Sequence, residues 1–293
     1  MLSIVYITCN RADEITKSII SCEAHVSIEH EYVIVDNGSK DDTEEKINAL
    51  IADGMNIRYL RQESNRGVSG GRNIGFREAY GDICYFIDDD ATVISDGNCL
   101  DKAYQYMQDN PDVFAMGTDC YDTVRECQLV GSPKRGTDIN TITPIRNYIG
   151  CSHFIRKSAL DVKYLYPDNL MYGSEELYGG MTCYRNGGIV VQYPGVKILH
   201  CPSSNTRSSR EMQKRNGHVN TYVIKKYLIP GPYLFICKVM FLMRIFRFEN
   251  FKLNAIKKDY ALVKERYDST YINKLSRQQV KKLISWFGFK YIV

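Results

Sequence analysis

Three carboxylates stand in a row at Asp88, Asp89 and Asp90, closing the apolar run "YFI" of residues 85–87. Adjacent carboxylates repel, so an apolar strand that ends in three of them calls for a compensating charge. A divalent hard cation takes carboxylate oxygens as ligands, and it turns their repulsion into attraction to one shared ion. Alternate side chains of an extended segment share a face. Asp88 and Asp90 can therefore act on one ligand while Asp89 points elsewhere. A solvated acidic turn would use the same residues, so the triplet has to be weighed with its surroundings.

Those surroundings are alternating strands and helices. "SIVYIT", "EYVIVDN", "NIRYLRQ" and "DICYFIDDD" are β-branched and aromatic runs that predict strands. "RADEITKSIISCEAH" and "KDDTEEKINALIADG" have helical spacing. "SNRGVSGGRNIGFREAYG" predicts a glycine-rich loop running into a helix. Further on, "CLDKAYQYMQDN" predicts a helix, "VFAMGTD" a strand, and "GCSHFIRKSAL" a strand turning into a helix. "SEELYGGMTCYRNGG" has helical features interrupted by Gly179-Gly180, and "IVVQYP" and "KILHC" predict two closing strands. Such alternation implies a mostly parallel sheet flanked by helices. Ligands of such sheets sit beyond the carboxyl ends of the strands. Thr8 to Arg11, Asp36 to Ser39 and Asp88 to Asp90 all fall there, so three distant stretches should meet in one crevice.

Composition bounds the rest. A chain of 293 residues with 44% hydrophobic and 25% charged residues can build a core, which excludes a disordered chain. None of the ten cysteines forms a CxxC pair, which argues against a zinc ribbon or thioredoxin-type motif. Their abundance, with no leader before "SIVYIT", leads us to expect reduced thiols and a cytoplasmic location. Net charge is unevenly spread. Residues 201–293 carry 19 Lys and Arg against 5 Asp and Glu, a balance of +14, and residues 1–200 carry 19 against 29, a balance of −10. The basic part should seek an anionic surface.

Four stretches, in order and spacing, carry a resemblance: "VYITCNR" (5–11), "VIVDNGSKDDT" (33–43), "SNRGVSGGRNIGF" (64–76) and "YFIDDDA" (85–91). Together they resemble the family 2 glycosyltransferases of the GT-A fold, over about residues 1–205 and loosely after about residue 120. The resemblance implies an α/β fold with a mixed, mostly parallel, Rossmann-like sheet. It implies an inverting enzyme that takes a sugar from a UDP- or dTDP-sugar, with Mn²⁺ or Mg²⁺ as cofactor. By the family pattern, Thr8 and Arg11 border the nucleotide, and Asp36 meets the base or ribose. Asn37, Gly67, Arg72 and Asn73 line or hold the nucleotide loop. Asp88 to Asp90 match the DxD signature: Asp90 as direct metal ligand, Asp88 on the ribose or the metal, Asp89 without a firm role. The family's Gly-Glu-Asp motif falls on "GSEELY", so Glu176 is the expected base with Glu175 as runner-up, although Glu replaces the usual Asp. His200 would join the metal or diphosphate, and Arg207 and Arg210 could cover the diphosphate.

The expected division is a catalytic domain over 1–221 and a helical, basic and aromatic extension over 222–293. "YLFICKVMFLMRIFRF" is apolar but interrupted by Lys238, Arg244 and Arg247, too short a run to span a bilayer. It suits an anionic membrane surface, packing on the catalytic domain, or a homodimer contact. Expected partners are thus a nucleotide-sugar donor and a glycan or lipid-linked glycan acceptor. No nucleic-acid motif is present. Two other readings remain: a sugar-phosphate nucleotidyltransferase, whose glycine-rich loop should directly follow the first strand where "TCNRADE" stands, and a non-catalytic scaffold with an altered "GSEELY".

Overall fold

The computed structural model describes residues 1–160, 162–170, 173–202, 210–248 and 253–292. In its first part β1 (Leu2–Thr8), α1 (Ala12–Glu23), β2 (His30–Asp36), α2 (Thr43–Ala52), β3 (Ile57–Arg61), α3 (Gly67–Glu78) and β4 (Ile83–Ile87) alternate as the sequence predicts. Next come β5 (Ala91–Val93), α4 (Cys99–Asp109), β6 (Val113–Asp122), β7 (Cys127–Leu129), β8 (Thr143–Pro144), β9 (Ser152–Arg156), α5 (Glu175–Arg185) and β10 (Ile189–His200). Five helices close the chain: α6 (Arg210–Leu228), α7 (Gly231–Phe248), α8 (Leu253–Glu265), α9 (Arg277–Phe287) and α10 (Phe289–Ile292).

The sheet order is β3-β2-β1-β4-β9-β6-β10-β5. The β3-β2-β1-β4 half is parallel, whereas β9 runs antiparallel between β4 and β6. β1 alternates across the pleat: Ile4 and Tyr6 enter one core with Ile19 and Leu100, and Val5 enters the other with Phe76 and Phe86. The expected "IVVQYP" and "KILHC" strands are one strand, β10, broken by a bulge between Tyr193 and Lys197. A bulge bends its strand and re-aims the side chains beyond it, and His200 lies beyond this one. The helix expected after β9 shrinks to a single turn at Lys157–Ala159.

Two glycine-rich stretches are helical for a packing reason. The stretch expected as a glycine-rich loop running into a helix is already helical at Gly67, where α3 begins and lies tight on β1. A Cβ at Gly71 would come within 2.8 Å of Ile7, and one at Gly75 would overlap Val5. In α5, a Cβ at Gly179 would overlap the Tyr148 hydroxyl, and one at Gly180 would lie 2.9 Å from the Arg146 carbonyl. The helix cost of these glycines is the condition for close contact.

The expected boundary at 221/222 falls inside α6, and the extension is continuous with the catalytic core. Tyr222, Phe241, Leu283 and Phe287 share one buried cluster with Val5, Phe86 and Tyr178. At the start of α9, Ser276 and Gln279 cap each other through 2.8 and 3.1 Å bonds. The Gln279 amide also donates to the Tyr184 and Arg185 carbonyls at the end of α5. No helix among the described residues is long and apolar enough to cross a membrane.

Candidate active site

β4 delivers the aspartates and β10 delivers the histidine, because the ends of these strands lie on the same edge of the sheet. β5 pairs with β10 so that His200 stands opposite Ala91. Ligand atoms of Asp88, Asp90 and His200 consequently lie within 4.8 Å of one another. His200 Nε2 is 3.2 Å from Asp90 and 4.0 Å from Asp88, and its Nδ1 is 3.4 Å from Asp122 at the end of β6. Burial opposes charge on His200, but the bond to Asp90 and the Asp88 and Asp90 carboxylates outweigh it and hold the imidazole up at about 9. The reciprocal effect keeps Asp90 below the ordinary aspartate value: burial pushes it up, but the His200 bond and Arg11 pull it further down.

Asp89 turns the other way. It is 5% exposed and accepts from Thr8 Oγ1 and Arg11 Nη1, both at 2.8 Å. Arg11 also binds Asp90 at 2.6 Å. Burial still pushes Asp89 up to about 7 against the pull of Arg11. Thr8 and Arg11 thus brace the triplet.

Arg72 connects this edge to α5. Its guanidinium, 3% exposed, donates to Asp88 at 2.9 Å, to the Gly150 carbonyl at 2.7 Å and to Glu175 at 3.4 Å. The Asp88 amide in turn donates to the Cys151 carbonyl at 2.9 Å. Burial, offset by Arg72 and reinforced by Asp90, pushes the Asp88 carboxyl up. Gly173 and Ser174 both adopt left-handed backbone, with φ of 90° and 74°, immediately before α5. The non-glycine member holds a conformation that costs of order 1–3 kcal/mol. That turn directs the first helical residues: Glu175 is buried on Arg72, whereas Glu176 lines a cavity of about 430 Å³. Burial, then the neighbouring Glu175, pushes Glu176 up to about 8. A Cβ at Gly150 would overlap Glu176 Oε1, so a larger residue there would displace the carboxylate.

The residues expected at the nucleotide also bond to the protein around them. The Asp36 carboxylate is fully buried and accepts from the Ser39 amide at 2.7 Å, from the Tyr59 hydroxyl, and from Arg61 at 3.3 Å. These protein donors close the turn after β2 on Asp36 and fix the orientation of its carboxylate. Asn73 spends its amide on the Tyr166 backbone in both directions, at 2.8 and 2.9 Å. Arg72 is held by Asp88, Glu175 and the Gly150 carbonyl. Asn37 bonds the Gly67 carbonyl at 3.2 Å, and Gly67, at φ 69°, opens α3. Arg207 and the Arg210 side chain lie outside the described residues.

Sequence reasoning missed Asp122 behind His200, and it missed Cys120 and Cys151. The two Sγ atoms are 3.0 Å apart, and both lie beside His200. Soft sulfurs and hard carboxylates thus meet at one imidazole. Two carboxylates with an imidazole suit Mn²⁺ or Mg²⁺, and Asp88, about one-third exposed, is the accessible member through which an ion can approach.

A Rossmann-like mixed sheet, with a DxD run and a histidine at its carboxyl edge and an acidic helix start facing them, defines the GT-A class of nucleotide-sugar transferase folds. The model of the family "Glycosyl transferase family 2" matches residues 3–162, and the chain belongs to that family. An uncharacterised glycosyltransferase of Haemophilus influenzae is 28% identical over 132 residues, 45% of this chain and 50% of that one. The GalNAc(5)-diNAcBac-PP-undecaprenol β-1,3-glucosyltransferase of Campylobacter jejuni is 33% identical over 95 residues, 32% of this chain and 31% of that one. These matches thus span half or less of those relatives. The mannosyltransferase of Pyrobaculum calidifontis, solved with GDP-Man and Mn²⁺, superposes with a TM-score of 0.61 at 14% identity, covering 89% of this chain and 73% of that one.

Proposed function

We propose that this protein is an inverting glycosyltransferase that moves a sugar from a UDP- or dTDP-sugar to a hydroxyl of a glycan or lipid-linked glycan. The observation that carries the reading is the continuity of one polar network. Asp88, Asp90 and His200 lie at one end, Glu175 and Glu176 at the other, and Arg72 joins them. Asp88, Asp90 and His200 would hold Mn²⁺ or Mg²⁺. When bound, the ion supplies Lewis-acid neutralisation of the departing diphosphate.

Glu176 is the base in this reading because Glu175 is held on Arg72 while Glu176 faces the cavity. It takes the acceptor's hydroxyl proton as the oxygen bonds to the anomeric carbon. The bond from that carbon to the diphosphate oxygen breaks with its electron pair, so one displacement inverts the centre. Membrane association at the cytoplasmic face belongs to the same proposal. On α7, Phe235, Val239, Met243 and Phe246 are exposed at helical spacing, within a segment whose balance is strongly basic.

The test is divalent-cation-dependent hydrolysis of nucleotide sugars, together with a thermal-shift panel of UDP- and dTDP-sugars with and without Mn²⁺. Selective stabilisation and hydrolysis are expected. No nucleotide-sugar binding in either series would reject the reading.

A further inference from the structure

A second histidine, His153, is fully buried on β9 and has no part in the reading above. It is stacked between Phe86 and Tyr148, at ring-centroid distances of 5.2 and 4.3 Å. Both ring nitrogens are bonded. Nδ1 is 3.1 Å from the Gly150 carbonyl, and Nε2 is 2.8 Å from the Tyr166 hydroxyl, which lies 2.8 Å from the Tyr148 hydroxyl. The directions of these bonds follow from the groups themselves. A carbonyl only accepts, so Nδ1 carries a proton. Burial, then the Arg72 charge, holds His153 well below the usual histidine value, so the ring is neutral and Nε2 accepts. Tyr166 therefore donates to Nε2, and Tyr148 donates to Tyr166. One tautomer satisfies every member of the chain.

This chain ends where the site begins. The Gly150 carbonyl also accepts from Arg72 at 2.7 Å, and a Cβ on Gly150 would lie 2.3 Å from Glu176 Oε1. One peptide thus carries a bond of Arg72 and backs the Glu176 carboxylate. At the other end, the Tyr148 hydroxyl packs on Gly179, in the turn of α5 that follows Glu176, where a Cβ would overlap it. The peptide beside Glu176 and the helix that carries Glu176 are therefore seated on the same hydroxyl–imidazole chain. A purely apolar side chain would fill the stack between Phe86 and Tyr148. It would leave the Tyr166 hydroxyl without this acceptor and the Gly150 carbonyl without this donor. Resting on the glycosyl-transfer reading above, we propose that His153 is a positioning residue, whose Nδ1–H fixes the Gly150 peptide and through it holds Glu176 and Arg72 in register for transfer. Enclosed on all sides, it touches neither donor nor acceptor. A misplacement of about 1 Å costs on the order of 100-fold in rate, which is the scale on which such a support acts.

The full-length wild-type protein, with ¹⁵N in its histidine rings, reports the tautomer by NMR at pH 8. A protonated Nδ1 and a bare Nε2 are expected for the ring whose signals vanish in His153→Asn. An Nε2–H ring or an imidazolium overturns the proposal. Kinetics supply the second arm, with hydrolysis of the nucleotide sugar that the wild type turns over as the reaction, and UDP with Mn²⁺ as the binding probe. His153→Leu, which has no donor, should lower kcat at least about tenfold, with donor KM and UDP affinity within about twofold of wild type. His153→Asn places an amide N–H near the position of Nδ1 and should recover at least about threefold of that loss. Where His153→Leu does not fold, Tyr166→Phe carries the comparison: it keeps the imidazole, frees its tautomer and should lower kcat with unchanged UDP affinity. Wild-type kcat in the variant that carries the comparison, equal loss of kcat and UDP affinity, or His153→Asn no better than a folded His153→Leu overturns the proposal. Failure of the wild type to bind or hydrolyse any nucleotide sugar defeats the function reading itself, and does so even beside an Nδ1–H signature; an Nε2–H signature beside normal turnover defeats the positioning role alone.

Discussion

If Glu176 removes the acceptor proton, its ionisation sets the acid limb of the reaction. Burial and Glu175 raise its carboxyl to about 8. At pH 6 only about 1% would be ionised, so kcat/KM for the acceptor should fall about tenfold per pH unit below pH 7 and about 50-fold from pH 8 to 6. The profile is to be recorded from pH 5.5 to 9.5 at saturating donor and Mn²⁺. Two variants give opposite signs. Glu175→Gln removes a carboxylate that raises Glu176, so the midpoint moves down and activity at pH 6 gains relative to its own plateau. Arg72→Met removes a cation that lowers Glu176, so the midpoint moves up. A profile flat between pH 6 and 9 would refute the assignment. So would a Glu175→Gln variant that is inactive beside an active Glu176→Gln, which would exchange the two roles.

The same network governs other outcomes. Asp90→Ala should lose Mn²⁺-dependent donor hydrolysis and the thermal stabilisation given by Mn²⁺ with UDP; normal hydrolysis would remove Asp90 from the metal site. Arg72→Met should lose about 3–5 kcal/mol in urea unfolding, because it strands the buried Glu175 carboxylate; a loss below about 1 kcal/mol would contradict the network. Gly150→Ala, whose Cβ would collide with Glu176, should lower kcat at least about tenfold while UDP still binds. Met243→Glu on the exposed face of α7 should release the protein from vesicles rich in anionic lipid in a flotation assay, and unchanged flotation would exclude that face.

Local chemistry was the legible part of the sequence. β-branched runs gave β1, β2 and β4, but β4 ends at Ile87, and a turn rather than the pleat orients the aspartates: Asp89 meets Thr8, and Arg11 holds Asp89 and Asp90 together. Groups brought together by long-range pairing were not legible. Asp122 reaches His200 only because β6 and β10 pair in parallel with a bulge, and no spacing in the chain announces that register. The cavity beside Glu176 draws on residues from 146 to 290. At Asp36 an Asp-Asn-Gly turn offers the same residues whether or not the carboxylate faces a ligand, and only the fold shows that it also closes on Tyr59 and Arg61. The glycines of α3 misled: close approach was needed, but to Ile7 and Val5 of β1.

β9 has a consequence for the order of assembly. Among the described strands it alone bridges the parallel β3-β2-β1-β4 half to β6-β10-β5. Residues 1–87 can begin pairing as the chain emerges, but the second half can join only once Ser152–Arg156 is available to insert. Until then Asp88, Asp89 and Asp90 stand at the open edge of a half-built sheet, in water, where three neighbouring charges cost little. Their enclosure waits for the strands that bring Gly150 and His200, so the nascent chain never has to bury the acidic cluster before its partners arrive.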